Sequence, residues 1–346
     1  MVVGVVVVTY NAGDVIGRCL ASLASSEGVD PGALRILVVD NASADNTAEQ
    51  VRAWAAGKAN AEGDGLFRPA PPRPRPLVES TSEIHHLPEG AAGLIRSPEN
   101  LGFAGGVNLG LKSLLAMPDV EAMWILNPDC VVENGTARKL VETARAAGRY
   151  GVIGGRVFYQ QPPLMIQSDG GRVNLWTGTC TPFNQTLVGR DVPPPAERAL
   201  DYISGAHMLA SRAFVQQAGL MPERYFLFYE EVEWCLRRGD LPLLLCPEAP
   251  AHHLGGHSIG SATVHTGPSP LSAYFMARNR IRFLASVRPV AVPVAFAYGT
   301  LKAFRCLMRR QRPAGLAMLR GLVGMAPSAA MLKRINRQAL PAATGP

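Results

Sequence analysis

The chain opens with a strand whose composition is compatible with few folds. Residues 2–8 read Val-Val-Gly-Val-Val-Val-Val, and the polar residues Thr9, Tyr10 and Asn11 follow. A β-branched run without polar alternation is typical of a central parallel strand buried on both faces. The apolar spacing of residues 15–25 then predicts a helix. Because no basic segment or cleavage site accompanies the valines, we interpret them as a core strand and not as a signal peptide.

A second strand–loop–helix unit follows at once. Residues 35–39 predict another strand, which ends at Asp40, and residues 47–56 predict its helix. Two such units indicate an open α/β sheet with ligands beyond the carboxyl ends of the strands. Asp40 could hold a base or sugar hydroxyl, or form an Asx turn. No GxGxxG follows the first strand, so a nicotinamide-dependent dehydrogenase is disfavoured.

Two later segments have the composition of phosphate or metal sites. Residues 100–108 contain three glycines and two asparagines before a helix, which suits a phosphate or ribose near the backbone, although a simple turn also uses such glycines. Residues 123–129 form a strand that runs into Asn127-Pro128-Asp129. Asp129 could share a divalent cation with substrate phosphates, or cap a turn.

The most unusual stretch, residues 225–237, places Glu230, Glu231 and Glu233 among aromatic residues. Helical spacing puts Glu233 on the side of Glu230 and turns Glu231 about 100° away. A carboxylate in a half-apolar wall can act as a base with a raised pKa. Acids are also favoured at a helix N-terminus by the helix dipole, so both interpretations stand for the segment alone. The turn at 251–258 carries three histidines around Gly-Gly, which favours one metal or phosphate ligand.

Charge divides the chain into two unlike parts. Residues 249–346 hold thirteen Lys and Arg and no acid, whereas the first 248 hold 21 basic and 27 acidic residues. Basic helices with apolar runs suit an anionic membrane face, so we expect peripheral membrane contact through residues 271–337. The lack of a nucleic-acid motif and of aromatic residues after Phe304 disfavours nucleic acid. No apolar stretch reaches the roughly 18–20 residues that span a bilayer.

Length and cysteine usage complete these limits. The 346 residues allow one large domain or two ordinary ones. The six cysteines are scattered without CxxC pairs, which indicates reduced thiols in a cytosolic protein rather than disulfides or a zinc site. Residues 57–93 are rich in Gly, Ala and Pro and predict an inserted flexible loop.

Seven segments in fixed order resemble glycosyltransferase family 2. They are Thr9-Tyr10-Asn11, Asp40-Asn41-Ala42-Ser43, residues 100–108, Asn127-Pro128-Asp129, Ser204-Gly205-Ala206, Glu230-Glu231-Val232-Glu233 and residues 253–258. The similarity covers about residues 2–285 and is nearest to bacterial rhamnosyltransferases that build cell-envelope polysaccharide. It implies a GT-A fold, a Rossmann-like open α/β sheet, over residues 1–270. Residues 271–346 would form a basic, apolar helical tail that associates with the membrane.

The resemblance also implies roles for individual residues. Those beside the nucleotide would be Thr9, Asn11, Asp40, Gly105, Gly106 and Asn108. Asp129 stands at the last acid of the family's DxD motif and would bind Mg²⁺ or Mn²⁺, with His253 as second ligand and His252 as the alternative. Glu231 stands at the position of the catalytic base, next to Glu230. The loop that meets donor and acceptor would include Ser204, Gly205 and Glu233.

Two departures from the family's pattern affect these assignments. The family has Glu-Asp-x-Asp where this chain has Glu230-Glu231-Val232-Glu233, so the choice of Glu231 over Glu230 is less secure. Asn127 replaces the first DxD acid, which predicts modest metal affinity.

The function implied is an inverting, metal-dependent hexosyltransferase on the inner face of the plasma membrane. It would move a deoxyhexose, such as rhamnose from dTDP-rhamnose or a UDP-linked donor, to a glycan or lipid-linked acceptor. A non-catalytic GT-A scaffold or sugar-nucleotide sensor is the alternative, favoured by Glu at the base position. A nucleotidyltransferase is a further alternative, and it would release pyrophosphate instead of a nucleoside diphosphate.

Overall fold

The computed structural model describes residues 1–58, 65–255 and 269–332. Its strands are β1 (Val2–Thr9), β2 (Leu34–Asp40), β3 (Leu77–Ser80), β4 (Ala92–Arg96), β5 (Val120–Leu126), β6 (Cys130–Val132), β7 (Val152–Tyr159), β8 (Ile166–Ser168), β9 (Gly171–Asn174), β10 (Thr179–Pro182), β11 (His207–Ser211) and β12 (Leu243–His253). Its α-helices are α1 (Ile16–Ala24), α2 (Thr47–Ala55), α3 (Gly102–Leu115), α4 (Thr136–Ala147), α5 (Arg212–Ala218), α6 (Glu230–Leu236), α7 (Pro270–Val287), α8 (Val292–Met308), α9 (Arg312–Leu322) and α10 (Ala329–Leu332).

One mixed ten-stranded sheet organises the molecule, in the order β3-β4-β2-β1-β5-β11-β7-β12-β6, with β8 pairing β7. The strands from β3 to β5 are parallel, and β11 runs antiparallel between β5 and β7. A two-stranded hairpin, β9–β10, stands apart from this sheet. The carboxyl ends of β1, β2 and β5 therefore meet at one edge, which is where ligands bind in open α/β sheets.

The valine run behaves as its composition predicts. Val5, Val6 and Val7 are completely buried, because β1 lies between β2 and β5 and is covered by helices on both faces. Helices α1, α2 and α4 contribute to the core on one face, which includes Val5 and Val7. Helices α3, α5 and α6 contribute to the core on the other face, which includes Val6 and Val8.

The segment 57–93 differs from the expected flexible loop. Residues 77–80 form β3, an edge strand parallel to β4, and Phe67, Ile84 and Leu87 are buried. Prolines therefore do not prevent an edge strand here, because none lies within β3 itself. Residues 59–64 lie outside the described part of the chain.

The helices after residue 269 extend the body of the protein. Phe283 and Leu284 of α7 are fully buried in the same core as β1 and β5. Helix α9 packs between α7 and α8: Leu322 of α9 meets Gly299 of α8, and Gly321 lies against the backbone of Tyr274 in α7. The domain boundary at residue 270 stays a prediction, but α7 shares the core of the sheet.

Within the described residues, one helical segment, Pro289–Met308, is long and apolar enough to cross a membrane by length and composition. From the sequence, no apolar stretch of this length was expected. The segment reaches it because α8 includes Pro293 in its first turn and continues past Gly299 to Met308. A proline in the first turn of a helix is tolerated, since its missing N–H would have no partner there.

Candidate active site

The turns after β1 and β2 are hydrogen-bonded to each other at the carboxyl edge of the sheet. The Asn11 N–H donates to Ser43 Oγ (2.9 Å), and Asn11 Oδ1 accepts from the Ala44 N–H (2.8 Å). Asp40 Oδ1 accepts from the Ser43 N–H (3.1 Å), and Thr9 is the register partner of Asp40. The expected nucleotide contacts Thr9, Asn11 and Asp40 are therefore neighbours, whereas their role toward a nucleotide stays a prediction.

A buried asparagine, Asn41, ties the glycine-rich loop to β2. Its Nδ2 donates to Asn100 Oδ1 (3.1 Å) and to the Gly102 carbonyl (2.9 Å), and its Oδ1 accepts from the Leu101 N–H (3.0 Å). The start of α3 is thereby placed beside the turns described above.

Gly105, Gly106 and Asn108 lie within helix α3 and are buried, and their expected place beside a nucleotide stays a prediction. A Cβ at Gly106 would lie 2.5 Å from Val8 Cγ1, so this glycine allows α3 to pack closely on β1. Gly105 has a similar conflict with its own helix, at Leu101 Cβ. Close packing therefore accounts for both glycines.

Asn108 holds α3 to the segment that leads to the acidic helix. Its Nδ2 donates to the Met221 carbonyl (2.8 Å) and to Glu223 Oε1 (2.6 Å), and its Oδ1 accepts from the Met221 N–H (2.9 Å). All of these bonds are internal and the side chain is buried. Asn108 thus has a structural role, whereas its expected role beside a nucleotide stays a prediction.

Asp129 and His253 form the candidate metal centre. His253 Nε2 lies 3.0 Å from Asp129 Oδ1 and 3.2 Å from Asn127 Nδ2. Asp129 follows β5, and His253 is the last residue of β12, whose neighbour β6 brings the two together. One carboxylate and one imidazole leave the remaining positions of an octahedral Mg²⁺ or Mn²⁺ to water and substrate phosphates, as is usual for such ions. The donor set therefore fits the expected cation.

Gln167 orients the imidazole of His253, although no sequence motif indicates this residue. Gln167 Oε1 lies 2.7 Å from His253 Nδ1. Since an amide oxygen only accepts, this contact places the proton on Nδ1 and leaves the Nε2 lone pair toward Asp129. Gln160 supports the same corner by donating to the carbonyls of Asp129 (3.0 Å) and His252 (3.1 Å). Neither glutamine lies in a motif, so only the fold brings them here.

Two further candidates for metal binding, His252 and Cys130, contact other groups instead. His252, the alternative ligand, is buried, and its Nε2 lies 2.9 Å from Glu133 Oε1. Adjacent residues of a strand face opposite sides, so only His253 reaches Asp129. Cys130 Sγ lies within reach of Asp129 and His253, but it donates to the Ala206 carbonyl (3.4 Å). Burial raises the pKa of the Cys130 thiol well above its ordinary value, which disfavours a thiolate ligand.

Glu230 and Glu231 begin α6 with shielded carboxylates. Each has an Oε2 atom that is inaccessible to solvent and has no hydrogen-bond partner. Burial raises the pKa of both carboxyl groups, and for Glu230 the negative charge of Glu231 adds to the rise. Glu230 is fully buried, whereas Glu231 is partly exposed. A carboxylate that is poorly solvated but reachable suits a general base, which favours Glu231 of the two.

Glu233 takes part in an ion-pair network. Its Oε1 pairs with Arg237 Nη2 (2.5 Å), and its Oε2 accepts from Arg224 and from the Tyr225 hydroxyl. Both oxygens thus have partners on the flank of α6 away from Glu231. This ion-pair network stabilises the helix, whereas the expected place of Glu233 in the donor and acceptor loop stays a prediction.

The turn at Ser204-Gly205-Ala206 lies between the two candidate centres. A Cβ added at Gly205 would lie 3.5 Å from Glu231 Cβ and 3.4 Å from Phe103 Cε1. The Ala206 carbonyl accepts from the Asn127 N–H (3.0 Å), next to the Asp129 corner. One short turn therefore contacts both the acidic helix and the candidate metal centre.

His207, next in the chain, is structural. Trp124 Nε1 donates to its Nδ1 (2.9 Å), and its Nε2 lies 2.9 Å from the Ala249 carbonyl. Complete burial lowers the pKa of His207 to about 4, so the ring is neutral.

The loop before Glu230 has an unusual backbone that a distant residue supports. Phe226, Phe228 and Tyr229 have φ of 64°, 69° and 76°, in the region that favours glycine. Asn279 of α7 donates from Nδ2 to the carbonyls of Tyr225 (2.8 Å), Leu227 (2.6 Å) and Phe228 (3.3 Å). This asparagine, which no motif indicated, positions the two glutamates through their loop.

A buried ion pair supports the segment between β7 and β11. Arg156 and Asp169 are fully buried and share two hydrogen bonds, of 2.9 and 2.7 Å. Arg156 also donates to the carbonyls of Arg190 and Val192, each at 2.7 Å. The pair thus connects β7 to the polar segment around residue 190.

Comparison with known proteins relates this chain to glycosyltransferases. The family model for glycosyl transferase family 2 matches residues 4–66. An N-acetylglucosaminyl-diphospho-decaprenol L-rhamnosyltransferase from Mycobacterium tuberculosis is 27% identical over 300 residues, covering 81% of this chain and 85% of the relative. The low-salt glycan biosynthesis hexosyltransferase Agl10 from Haloferax volcanii is 25% identical over 176 residues, covering 50% of this chain and 53% of that protein.

Among solved structures, GalNAc-T7 with UDP, GalNAc and Mn²⁺ superposes with a TM-score of 0.50 at 13% identity. The match covers 81% of this chain and 51% of GalNAc-T7, so the chain spans about half the length of that protein and of the haloarchaeal relative. This likeness concerns the fold, and it confirms the expected GT-A arrangement of the open α/β sheet. Together, the family match and the curated relatives support this chain as a glycosyltransferase of family 2.

Proposed function

We propose that this glycosyltransferase moves a deoxyhexose from a nucleoside-diphosphate donor, dTDP-rhamnose in particular, to a lipid-linked glycan acceptor with inversion at the anomeric carbon. The proposal places the enzyme in cell-envelope polysaccharide synthesis at the cytoplasmic face of the plasma membrane. The name of the mycobacterial relative, which states both a rhamnosyl donor group and a polyprenyl diphosphate acceptor, supports the choice of substrates.

The observation that carries the proposal is the shielded, partnerless oxygen of Glu231 beside the Gly205 turn. An inverting displacement needs one base that takes the proton of the acceptor hydroxyl as the hydroxyl oxygen attacks. Glu231 is partly exposed and poorly solvated, which suits that base, and Glu230 lies beside it as a second, deeper acid. Gly205 packs close to Glu231, since a Cβ added at Gly205 would lie 3.5 Å from Glu231 Cβ.

At the other end of the turn, Asp129 and His253 would hold Mg²⁺ or Mn²⁺. Such a cation, when bound, stabilises the negative charge of a departing diphosphate. The residues of the chain prepare this corner: Gln167 presents the His253 lone pair, and Asn127 fixes the ring from the other side. Asp40 with the Asn11–Ser43 turn would bind the nucleoside at the carboxyl edge of β1 and β2.

A direct test measures release of dTDP from dTDP-rhamnose in the presence of Mn²⁺ and a short-chain polyprenyl diphosphate N-acetylglucosamine. We expect turnover by the wild type and at least a hundredfold loss in Glu231→Gln, since general bases contribute about 10²–10⁴ in rate. Full turnover by Glu231→Gln would remove the core of the proposal. Release of pyrophosphate would indicate a nucleotidyltransferase instead.

Binding alone separates an enzyme from a scaffold when turnover is absent. Thermal shift with dTDP, UDP and GDP, with and without Mn²⁺, should show a metal-dependent rise with one nucleotide. A hundredfold excess over the dissociation constant adds about 2.7 kcal/mol to stability. Asp129→Asn should lose the metal-dependent part of the rise, whereas Glu142→Gln, an exposed change on α4, should keep it.

A further inference from the structure

The fully buried side of helix α8 consists of its smallest residues. Ala295, Gly299 and Ala303, spaced four residues apart, are its buried residues. A Cβ on Gly299 would lie 2.6 Å from Leu322 Cδ2, so α8 packs closely on α9 along this narrow stripe. The opposite side of the helix faces outward.

That outward side is apolar, which reverses the usual pattern of a surface helix. Val294, Leu301, Phe304 and Met308 are all exposed, with Met308 at 84%. At about 100° per residue these four positions fall within about 80° of one another around the helix. A helix at a water interface normally points polar residues outward, and an exposed apolar stripe of this kind marks a contact surface.

Aromatic and basic residues border the stripe at its beginning. Trp176, in the β9–β10 hairpin, is 47% exposed, and the Arg288 guanidinium lies over its ring at 4.2 Å. Val290, between Arg288 and α8, is also exposed. An exposed Trp beside an arginine is typical of the headgroup level of a membrane, where an apolar ring has a wet edge.

Basic residues also follow the stripe at its end. Arg305, Arg309, Arg310 and Arg312 are exposed at and beyond the C-terminal turns of α8. The sequence from residue 249 onward contains no acid at all. The charge around the stripe is thus complementary to anionic lipid headgroups, which attract clustered Lys and Arg.

We propose that α8 lies in the plane of an anionic lipid surface, with the stripe Val294, Leu301, Phe304 and Met308 inserted among the lipids. The segment Pro289–Met308 has the length of a membrane-spanning helix, but its small-residue side is packed on α9. A helix fixed along the protein in this way rests on the bilayer with one side only, as interfacial helices do.

This surface deepens the proposed function, on which it rests, because α8 lies close to the acidic helix. The Arg280 guanidinium of α7 lies 5.4 Å from the ring centroid of Tyr298 in α8, and Arg280 Nε donates to the Tyr229 hydroxyl (3.4 Å). Tyr229 immediately precedes Glu230. Arg280 thus connects α8 to the residue that precedes α6, so the proposed lipid contact and the candidate base belong to neighbouring elements of the fold.

Flotation of the full chain with vesicles tests the proposal. We expect the protein to float with vesicles of phosphatidylcholine and phosphatidylglycerol, and to float at least tenfold less with phosphatidylcholine alone. Leu301→Glu/Phe304→Glu should abolish flotation. The matched control Leu187→Glu/Val188→Glu changes two residues that are similarly exposed, on a loop before β11, and should float as the wild type does. Arg309→Gln/Arg310→Gln should weaken flotation with the anionic vesicles.

Other occupants of the stripe give different results. Flotation that Leu301→Glu/Phe304→Glu leaves unchanged would refute the lipid contact, as would absence of wild-type flotation. If the protein remained with the vesicles after alkaline carbonate extraction, α8 would span the bilayer, and the proposal of a surface helix would be wrong. A dimer that light scattering detects and the double variant dissociates would assign the stripe to a second copy. Turnover on a water-soluble acceptor analogue should be equal in the double variant and the wild type, so failure of the lipid contact is distinguishable from failure of the proposed chemistry.

Discussion

Replacing the candidate base by its amide should remove activity and raise stability at the same time. In the wild type, Glu231 Oε2 is shielded and has no partner, and its carboxyl pKa is raised by burial. An unpaired buried polar group costs about 1–3 kcal/mol of folding free energy. Glu231→Gln removes the charge that makes this group costly, so we expect a gain within that range.

The gain should depend on pH in a defined direction. A carboxyl with a raised pKa binds its proton more tightly in the folded chain than in the unfolded chain, whose ordinary value is 4.5. Below that pH both states are protonated and the cost is absent, and the cost grows as pH rises through the folded-state pKa. The advantage of Glu231→Gln should therefore be largest near pH 8 and vanish toward pH 4.5.

Thermal unfolding by circular dichroism measures this effect. For a chain of this size about 2 °C in Tm corresponds to 1 kcal/mol, so the rise at pH 8 should be about 2–6 °C. Glu197→Gln, at an exposed position, is the control and should leave Tm unchanged. Glu230→Gln should also stabilise, and the double variant should gain less than the sum, because either single change removes the mutual repulsion. An equal or lower Tm for Glu231→Gln at pH 8 would refute the claim that the shielded Glu231 carboxylate destabilises the folded chain.

Three further predictions concern the support of the site. Asn279→Ala removes three hydrogen bonds to the loop before Glu230, so it should lower the free energy of unfolding by about 2–4 kcal/mol. It should also reduce turnover at least tenfold among folded molecules. Unchanged turnover would mean that the loop keeps its conformation without Asn279. Arg156→Met should cost about 3–5 kcal/mol in urea unfolding, whereas Arg156→Met/Asp169→Leu should cost less than that single change, and additive costs would contradict a tightly coupled pair. His207, with a pKa of about 4 in the folded chain, binds its proton more readily when unfolded, so stability should fall as pH decreases from 6.5 toward 4. His207→Gln should flatten this part of the urea midpoint profile, and an unchanged slope would assign the acid sensitivity to other groups.

The sequence was most informative where function and local structure make the same demand. The valines of β1, the polar turn after it and Asp40 are predictable because a buried parallel strand and a site at its end both leave a local pattern. Recognition of the family and of the GT-A sheet rests on several such patterns in order, and both are confirmed.

The glycines of α3 show why a sequence pattern alone does not decide the role of a residue. Gly106 allows close packing against Val8, and a glycine that admits a ligand would give the same sequence signal. Glu233 lies three residues after Glu230, but Arg224 and Arg237 determine where its carboxylate points. Helical spacing predicts which residues share a side of a helix and says nothing of partners elsewhere in the chain.

The supporting residues were invisible for a related reason. Gln167 and Asn279 contribute through single side chains that reach across the fold, 86 residues from His253 and 51 from Phe228 respectively. Neither belongs to a periodic pattern or a motif. Their contribution depends on the sheet order and on the packing of α7, which no local stretch specifies.

The contact between Asn279 and the loop at 225–229 has a consequence for the timing of activity. A ribosome synthesises a chain from its N-terminus, and folding begins before synthesis ends. A nascent chain that stops before α7 already contains both glutamates and the complete set of strands, but it lacks the side chain that bonds to their loop. The candidate carboxylates therefore gain this support only when α7 arrives, together with the helix of the proposed lipid contact. A chain truncated before α7 would keep its strands but lose the support of the loop at residues 225–229, and with it the placement of the candidate base.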